Sequence, residues 1–132
     1  MPKYATYEEL IGGTPLVNLN SMLSDECQAR GVTLLGKAEF LNPGFSQKDR
    51  IARKIFDDAE ASGKLKPGGT VIAASSGNTG AAAAMMGAMR GYKVIIVTNS
   101  KCSQEKMDRY VPRLLTDDAA AAASHTVHGG LR

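Results

Sequence analysis

The sequence predicts an α/β fold, with a small and mostly parallel sheet flanked by helices. Short apolar, β-branched segments at 33–40, 70–74 and 93–98 alternate with segments of helical periodicity at 51–62 and 77–91. Strands and helices that alternate at this spacing form parallel βαβ units. A chain of 132 residues is long enough for one domain with a modest core.

Local signals set the bounds of each predicted element. Residues 1–20 are predicted to form an irregular, half-buried arm, with a short helix at 7–11. Leu16, Val17 and Leu19 are expected to pack against the domain. A short polar helix is predicted at 23–31, and Ser46 is the predicted N-cap of the helix that follows the Asn-Pro-Gly turn at 42–44. Glycines, which tolerate positive φ, end the predicted helices at Gly31, Gly63 and Gly91.

The composition argues against several classes of protein. The net charge is +3, the charged residues are scattered, and tryptophan is absent, so nucleic-acid binding is not expected. The longest apolar run, 81–89, is too short to span a bilayer. Cys27 and Cys102 match no metal-binding spacing. Because the N-terminus is polar and shows no signal peptide, we expect a cytoplasmic protein with reduced thiols.

Lys48 occupies an unusual position for a lysine. It falls in the first turn of the predicted 46–62 helix, where the partial positive charge of the helix N-terminus disfavours an ammonium group. The neutral amine is therefore favoured there, and a neutral amine is the form that attacks a carbonyl. The alternative is an ordinary solvated lysine.

The loop 75–80 is predicted to bind an anion. It lies between the C-terminal end of a strand and the start of a helix, where open α/β sheets bind ligands and free N–H groups favour negative charge. The loop also carries side chains that can donate hydrogen bonds, from Ser75, Ser76, Asn78 and Thr79, and Gly77 allows close approach of a ligand. The alternative is a simple capped turn. The loop matches neither a Walker motif nor a dinucleotide fingerprint.

Three segments in this order resemble motifs of the cysteine synthase and cystathionine β-synthase family of pyridoxal-phosphate enzymes. They are Gly12 to Leu16 (Gly-Gly-Thr-Pro-Leu), Asn42 to Ala52 (Asn-Pro-Gly-Phe-Ser-Gln-Lys-Asp-Arg-Ile-Ala) and Ser75 to Gly80 (Ser-Ser-Gly-Asn-Thr-Gly). The resemblance covers about residues 8–107. Two positions depart from the family pattern: Phe45 replaces a glycine and Gln47 replaces an apolar residue.

The resemblance implies an incomplete tryptophan-synthase-β-like fold and a catalytic role for Lys48, which would hold pyridoxal 5′-phosphate covalently. The loop residues Ser75, Ser76, Gly77, Asn78 and Thr79 would bind the carboxylate of an amino-acid substrate, and Asn78 would also contact the cofactor. No metal is implied. The implied reaction is β-replacement of the cysteine synthase type, from O-acetylserine and sulfide to cysteine. Cystathionine β-synthase, serine dehydratase and diaminopropionate synthase activities are the alternatives within the family.

The resemblance ends near residue 107, which divides the chain into an enzyme-like part, 1–107, and a divergent tail, 108–132. The family's phosphate-binding glycine loop and its residue at the pyridine nitrogen are not recognised in this sequence. We therefore expect a truncated form. The alternative is a catalytically inactive fragment that acts as a ligand-binding or subunit-interaction domain. The expected partner is a second copy, as a homodimer, or a full-length relative. His125 and His128 are more typical of a surface tail than of a metal site.

Overall fold

The computed structural model describes residues 4–98. Two helices and two strands form its larger part: α2 (Lys48–Ala61), β3 (Thr70–Ala74), α3 (Asn78–Arg90) and β4 (Lys93–Val97). Before them come β1 (Leu16–Asn18), α1 (Asp25–Ala29), β2 (Leu35–Lys37) and 3₁₀ turns at Glu8–Leu10, Asn20–Met22 and Glu39–Leu41. The predicted tail 108–132, with His125 and His128, lies outside the described residues.

The predicted parallel βαβ unit is confirmed in β3, α3 and β4. The two strands pair in parallel, from Thr70 opposite Lys93 to Ala74 opposite Val97. The observed β3 has the predicted bounds, and α3 ends at Gly91, whose φ of 73° is the left-handed conformation expected of a helix-ending glycine. The loop 75–80 therefore follows the C-terminal end of a parallel strand.

The predicted strand at 33–40 is shorter than expected and has a different partner. Only Leu35–Lys37 is extended, because the chain turns into the 3₁₀ segment Glu39–Leu41. This strand pairs antiparallel with β1, so residues 4–98 form two two-stranded sheets rather than one. Bonds from Leu19 N to Leu34 O and from Ala38 N to Pro15 O continue the pairing at both ends.

The arm does not pack as predicted throughout its length. Leu16 and Val17 are exposed, so their predicted burial is wrong, because both belong to the exposed β1–β2 ribbon. Leu19 is half-buried and lies over Gly36, where a Cβ atom would overlap its side chain. The arm instead buries Ile11, which joins the core.

The core lies between α2, α3 and one face of the β3–β4 sheet. Its buried residues are Ile11, Ala52, Phe56, Leu65, Ala82, Ala83 and Met86. Of the three methionines on α3, Met86 is fully buried, Met85 is half-buried and Met89 is exposed. Small residues let α3 lie close to the sheet, since a Cβ atom on Gly87 would overlap the Val94 side chain.

Candidate functional site

Lys48 is the first residue of α2, as the sequence predicts to within one turn. The N-cap position falls at Gln47, not at the predicted Ser46, and the Gln47 side chain makes no capping bond. Ser46 is nevertheless buried, and its Oγ accepts a hydrogen bond from the Lys48 N–H at 3.0 Å. The serine hydroxyl therefore satisfies one of the unpaired N–H groups at the helix start, one residue away from the predicted arrangement.

A polar network that is not evident from the sequence supports the segment before Lys48. Glu39 receives two hydrogen bonds from Arg50, each 2.9 Å long, and one from the Thr14 hydroxyl at 2.7 Å. The hydrogen bonds from Arg50 and then Thr14 lower the pKa of Glu39 from its ordinary value to about 2. Glu39 is therefore an anion at neutral pH and joins the first motif, through Thr14, to the start of α2.

Asn42 makes a second connection between the first two motifs. This side chain is fully buried and accepts a 2.9 Å hydrogen bond from the Gly12 N–H through Oδ1. Its Nδ2 donates to the backbone oxygen of Glu39 and to Glu39 Oε2. Buried polar groups are normally hydrogen-bonded. The polar residues of 39–50 therefore indicate that hydrogen bonds form in this segment. The partners depend on the fold and are not visible in the sequence.

Phe45 holds a backbone conformation that side chains disfavour. Its φ is 58°, and it is the one non-glycine residue with positive φ among residues 4–98. This conformation accounts for the glycine of the family pattern at this position, since glycine adopts it without steric cost. The Phe45 side chain is 79% exposed, so its packing returns little stability.

We expect Phe45→Gly to stabilise the chain by about 0.5–1 kcal/mol, the relief of left-handed strain less the added entropy of an unfolded glycine. Chemical denaturation measures the change. Phe40→Gly is the matched control, because Phe40 is also exposed but lacks the positive φ. That control is expected to lose about 0.5–1 kcal/mol. A loss of stability in Phe45→Gly as large as in the control would contradict the strain argument.

The loop 75–80 is closed by Ser75. The Ser75 N–H donates to Val97 O at 2.9 Å, which extends the β3–β4 pairing by one residue. Ser75 Oγ accepts hydrogen bonds from the N–H groups of Gly77 at 3.2 Å and Gly80 at 3.0 Å. This serine therefore fixes the loop's shape, as the capped-turn alternative predicts.

The remaining loop side chains face solvent. Ser76, Gly77, Asn78 and Thr79 are all exposed, while Gly80, in the first turn of α3, is buried. The first N–H groups of a helix have no acceptor within it. The start of α3 thus presents N–H groups, two hydroxyls and an amide to a ligand, together with the positive end of the helix dipole.

Helices α2 and α3 pack against each other and are joined at their C-terminal ends. Glu60 of α2 bonds Arg90 of α3 at 2.9 Å, thirty residues apart in sequence. Earlier in the same helices, Phe56 and Met86 share the core, as do Ala52 and Ala82, at the same sequence offset. The two helices therefore pack against each other, and their C-terminal ends lie together.

Lys48 itself is half-buried, and its Nζ makes no hydrogen bond or ion pair with any atom of residues 4–98. Within the same range, no group of three or more acidic, histidine or cysteine side chains is arranged to hold a metal ion. Among those residues there is also no helix whose length and apolar character would let it cross a membrane. Within residues 4–98 the candidate site therefore combines one amine without a partner and the exposed polar side chains of Ser76, Asn78 and Thr79.

Known proteins match this chain in sequence. The family "Pyridoxal-phosphate dependent enzyme" matches residues 7–111. A cystathionine beta-synthase from Dictyostelium discoideum is 50% identical over 99 residues, which are 74% of this chain and 19% of that protein. A cysteine synthase from the same organism is 44% identical over 100 residues, 76% of this chain and 25% of that protein. The chain thus spans a quarter or less of the length of these two relatives.

Solved structures agree with the sequence matches. The crystal structure of an O-ureido-L-serine synthase superposes with a TM-score of 0.77 at 34% identity, over 98% of this chain and 37% of that one. A hydrogen sulfide-producing enzyme from Fusobacterium nucleatum superposes with a TM-score of 0.75 at 32% identity, over 98% of this chain and 38% of that one. The sequence motifs, the α/β fold and these matches agree: the chain belongs to the family of pyridoxal-phosphate-dependent enzymes.

Proposed function

We propose that this chain carries the substrate- and lysine-bearing part of an enzyme that replaces the β-substituent of a serine-derived amino acid. The observation that carries the proposal is that two helix starts in family motifs offer groups to a ligand. One start holds Lys48, whose amine has no partner among residues 4–98, and the other carries the exposed residues Ser76, Asn78 and Thr79.

Lys48 is the residue that we assign to covalent attachment of pyridoxal phosphate and to proton transfer. Its amine is unpaired among residues 4–98, and its backbone is held by the buried Ser46. When bound, pyridoxal phosphate supplies an electron sink for charge that develops at the substrate's α-carbon. The Lys48 amine takes the proton from that carbon, the β-substituent leaves with its bonding electrons, and a thiol or sulfide forms the new bond at the β-carbon.

The loop 75–79 is the part that we assign to the substrate carboxylate. Ser76, Asn78 and Thr79 are exposed at the positive end of α3, where an anion is stabilised by free N–H groups and the helix dipole. Ser75 and Gly77 hold the loop in shape, because Ser75 Oγ accepts from the Gly77 and Gly80 N–H groups. Asn78 is also the proposed side-chain contact to the cofactor.

The names of the relatives support a substrate with a leaving group on the β-carbon of serine. They include cystathionine beta-synthase, cysteine synthase and O-ureido-L-serine synthase. We favour the cysteine synthase type, O-acetylserine plus sulfide, in a cytoplasmic protein that works as a homodimer or with a full-length relative. The cystathionine-forming reaction is the nearest alternative.

Chemical trapping on the 132-residue chain tests this function. The chain is mixed with pyridoxal phosphate, the absorbance spectrum is recorded, and the complex is reduced with borohydride and digested. We expect a visible absorbance band and an adduct that mass spectrometry places mainly on Lys48. An adduct spread evenly over the lysines of a folded sample would refute the assignment.

A second function is favoured by exposed apolar residues on one face of the β3–β4 sheet. Val71, Ala73 and Val94 face the core, but Ile72 on the opposite face is 68% exposed and Val97 is also exposed. Apolar sheet faces are normally buried against another layer. The chain would then be a non-catalytic module that pairs with a full-length relative. Size-exclusion chromatography of the mixture tests this, since co-elution with a relative favours the module and separate elution counts against it.

A further inference from the structure

The carboxyl group next to Lys48 is buried, which is unusual for an acidic residue at a helix start. Asp49 is 1% exposed and is the second residue of α2. Its Oδ2 accepts a 2.5 Å hydrogen bond from the Gly44 N–H and a 3.4 Å bond from the Tyr7 hydroxyl. Its Oδ1 is buried and has no hydrogen-bond partner among residues 4–98. Asp49 therefore does more than place a charge at the helix dipole, which a solvated carboxylate would do equally well.

Gly44 and Asp49 fit each other closely. A Cβ atom on Gly44 would overlap the Asp49 carboxylate, so the glycine is required for this approach. The chain turns at these residues: the Phe45 N–H bonds Asn42 O at 2.8 Å, and the Lys48 N–H bonds Ser46 Oγ at 3.0 Å. The hydrogen bond from the Gly44 N–H to Asp49 Oδ2 closes a loop around the segment that leads into Lys48.

Burying the Asp49 carboxyl group costs free energy, because its charged form loses contact with water. Burial raises the pKa of Asp49 above its ordinary value, and the charge of Glu39 acts in the same direction, while hydrogen bonds from Gly44 and Tyr7 oppose them. Burial, followed by the Asp49 charge, likewise raises the pKa of Tyr7. A small apolar residue would avoid this desolvation cost, so the carboxyl group's hydrogen bonds account for its presence.

We propose that Asp49 is a positioning residue for Lys48. Its buried carboxyl group ties Gly44 to Tyr7 of the arm, fixes the turn 44–48 against the domain, and so sets the direction in which the Lys48 side chain leaves α2. This inference rests on the proposed role of Lys48, and it adds a residue that acts through the backbone without touching the substrate or the cofactor.

The test compares Asp49→Ala and Asp49→Asn in the full 132-residue chain. The first readout is the rate at which pyridoxal phosphate plus borohydride labels Lys48, relative to the exposed Lys64. The second is hydrogen exchange at the Gly44 amide. We expect Asp49→Ala to lower the relative Lys48 rate by about tenfold, because small displacements of a reacting group have large kinetic effects. Asp49→Asn should stay within about threefold of the wild type, since an amide oxygen still accepts the Gly44 N–H.

Asp58→Ala is the matched control. Asp58 lies on the same helix but is exposed, with a 62% accessible side chain that pairs with Lys54. This variant should change neither readout. Circular dichroism checks that each variant is folded.

If Asp49→Ala does not fold, Tyr7→Phe tests the proposal instead. This variant removes one hydrogen bond to Asp49 and should lower the rate of Lys48 labelling by about two- to fivefold. An unchanged rate in Tyr7→Phe would then overturn the proposal.

The two readouts separate this inference from the proposed function. One outcome in Asp49→Ala is that the Gly44 amide loses its protection from hydrogen exchange while Lys48 is still labelled at the wild-type rate. That result overturns the positioning role and leaves the function of Lys48 intact. If pyridoxal phosphate does not label Lys48 in preference to Lys64 in the wild-type chain, the proposed function is overturned, and so is the positioning role that rests on it. Slower labelling of Lys48 in Asp49→Ala, restored in Asp49→Asn, supports both.

Discussion

Replacing Lys48 with alanine is expected to abolish the covalent adduct with pyridoxal phosphate while the chain stays folded. The amine is the one group at the start of α2 that forms such a bond, and alanine favours the helix at least as well as lysine does. Because Lys48 Nζ has no partner within residues 4–98, its removal breaks no hydrogen bond or ion pair there. Loss of the visible absorbance band and of the trapped adduct, with an unchanged circular dichroism spectrum, is the expected result.

Lys54→Ala is the control for this experiment. Lys54 lies on the same helix, but its side chain is 72% exposed and pairs with Asp58. Exposed ion pairs contribute little, so the control should change stability by no more than about 0.5 kcal/mol and should keep the Lys48 adduct intact. An adduct that survives in Lys48→Ala at the wild-type level would show that another amine is the reactive one.

The β3–α3–β4 unit was predictable because its signals are local. The apolar strands, the alanine-rich helix and the glycine that ends it all lie within 70–97, and each element agrees with the next. The same holds for the position of Lys48, since the turn before it and the periodicity after it define a helix start. Its chemical role came from the resemblance to a family and not from the pattern of residues.

The network before Lys48 was not predictable, because its partners are distant in sequence. Arg50 and Glu39 are eleven residues apart, Gly12 and Asn42 thirty, and Tyr7 and Asp49 forty-two. A polar side chain in a turn gives no indication of whether it will face solvent or a buried partner. The predicted pairing of β2 was wrong for a related reason. A three-residue strand can pair with either a parallel or an antiparallel neighbour, and β1 of the arm is an antiparallel one.

A guanidinium group at the end of α3 connects three parts of the structure. Arg90 is 14% exposed and bonds Glu8 of the arm through Nε at 2.8 Å and Nη2 at 2.6 Å. It also bonds Asp57 at 2.6 Å and Glu60 at 2.9 Å, both on α2. The planar, five-donor shape of arginine suits several carboxylates at once. In a chain with a small core, this cluster is the main polar link between the arm, α2 and α3.

Arg90→Ala is expected to lower the free energy of unfolding by about 2–3 kcal/mol, since it leaves three carboxylates close together without their cation. This expected loss of free energy is at the lower end of the range for buried ion pairs, because the three carboxylates retain partial contact with water. Chemical denaturation at pH 7 measures the loss. Arg30→Ala is the matched control, because Arg30 and Glu26 lie 3.8 Å apart with side chains 72% and 82% exposed. Its expected effect is below about 0.5 kcal/mol.

The pH dependence of that loss separates an ionic contribution from simple packing. The hydrogen bond from Arg90, the largest influence on Glu8, lowers the pKa of that carboxyl below its ordinary 4.5. A lowered carboxyl pKa stabilises the folded state above the unfolded value, and the stabilisation disappears as the pH falls through the folded value. The difference between wild type and Arg90→Ala should therefore be full at pH 7 and shrink below about pH 4.5. A difference that stays constant down to pH 3 would mean that Arg90 stabilises the chain through the packing of its alkyl stem, and that the three carboxylates contribute nothing through their charge.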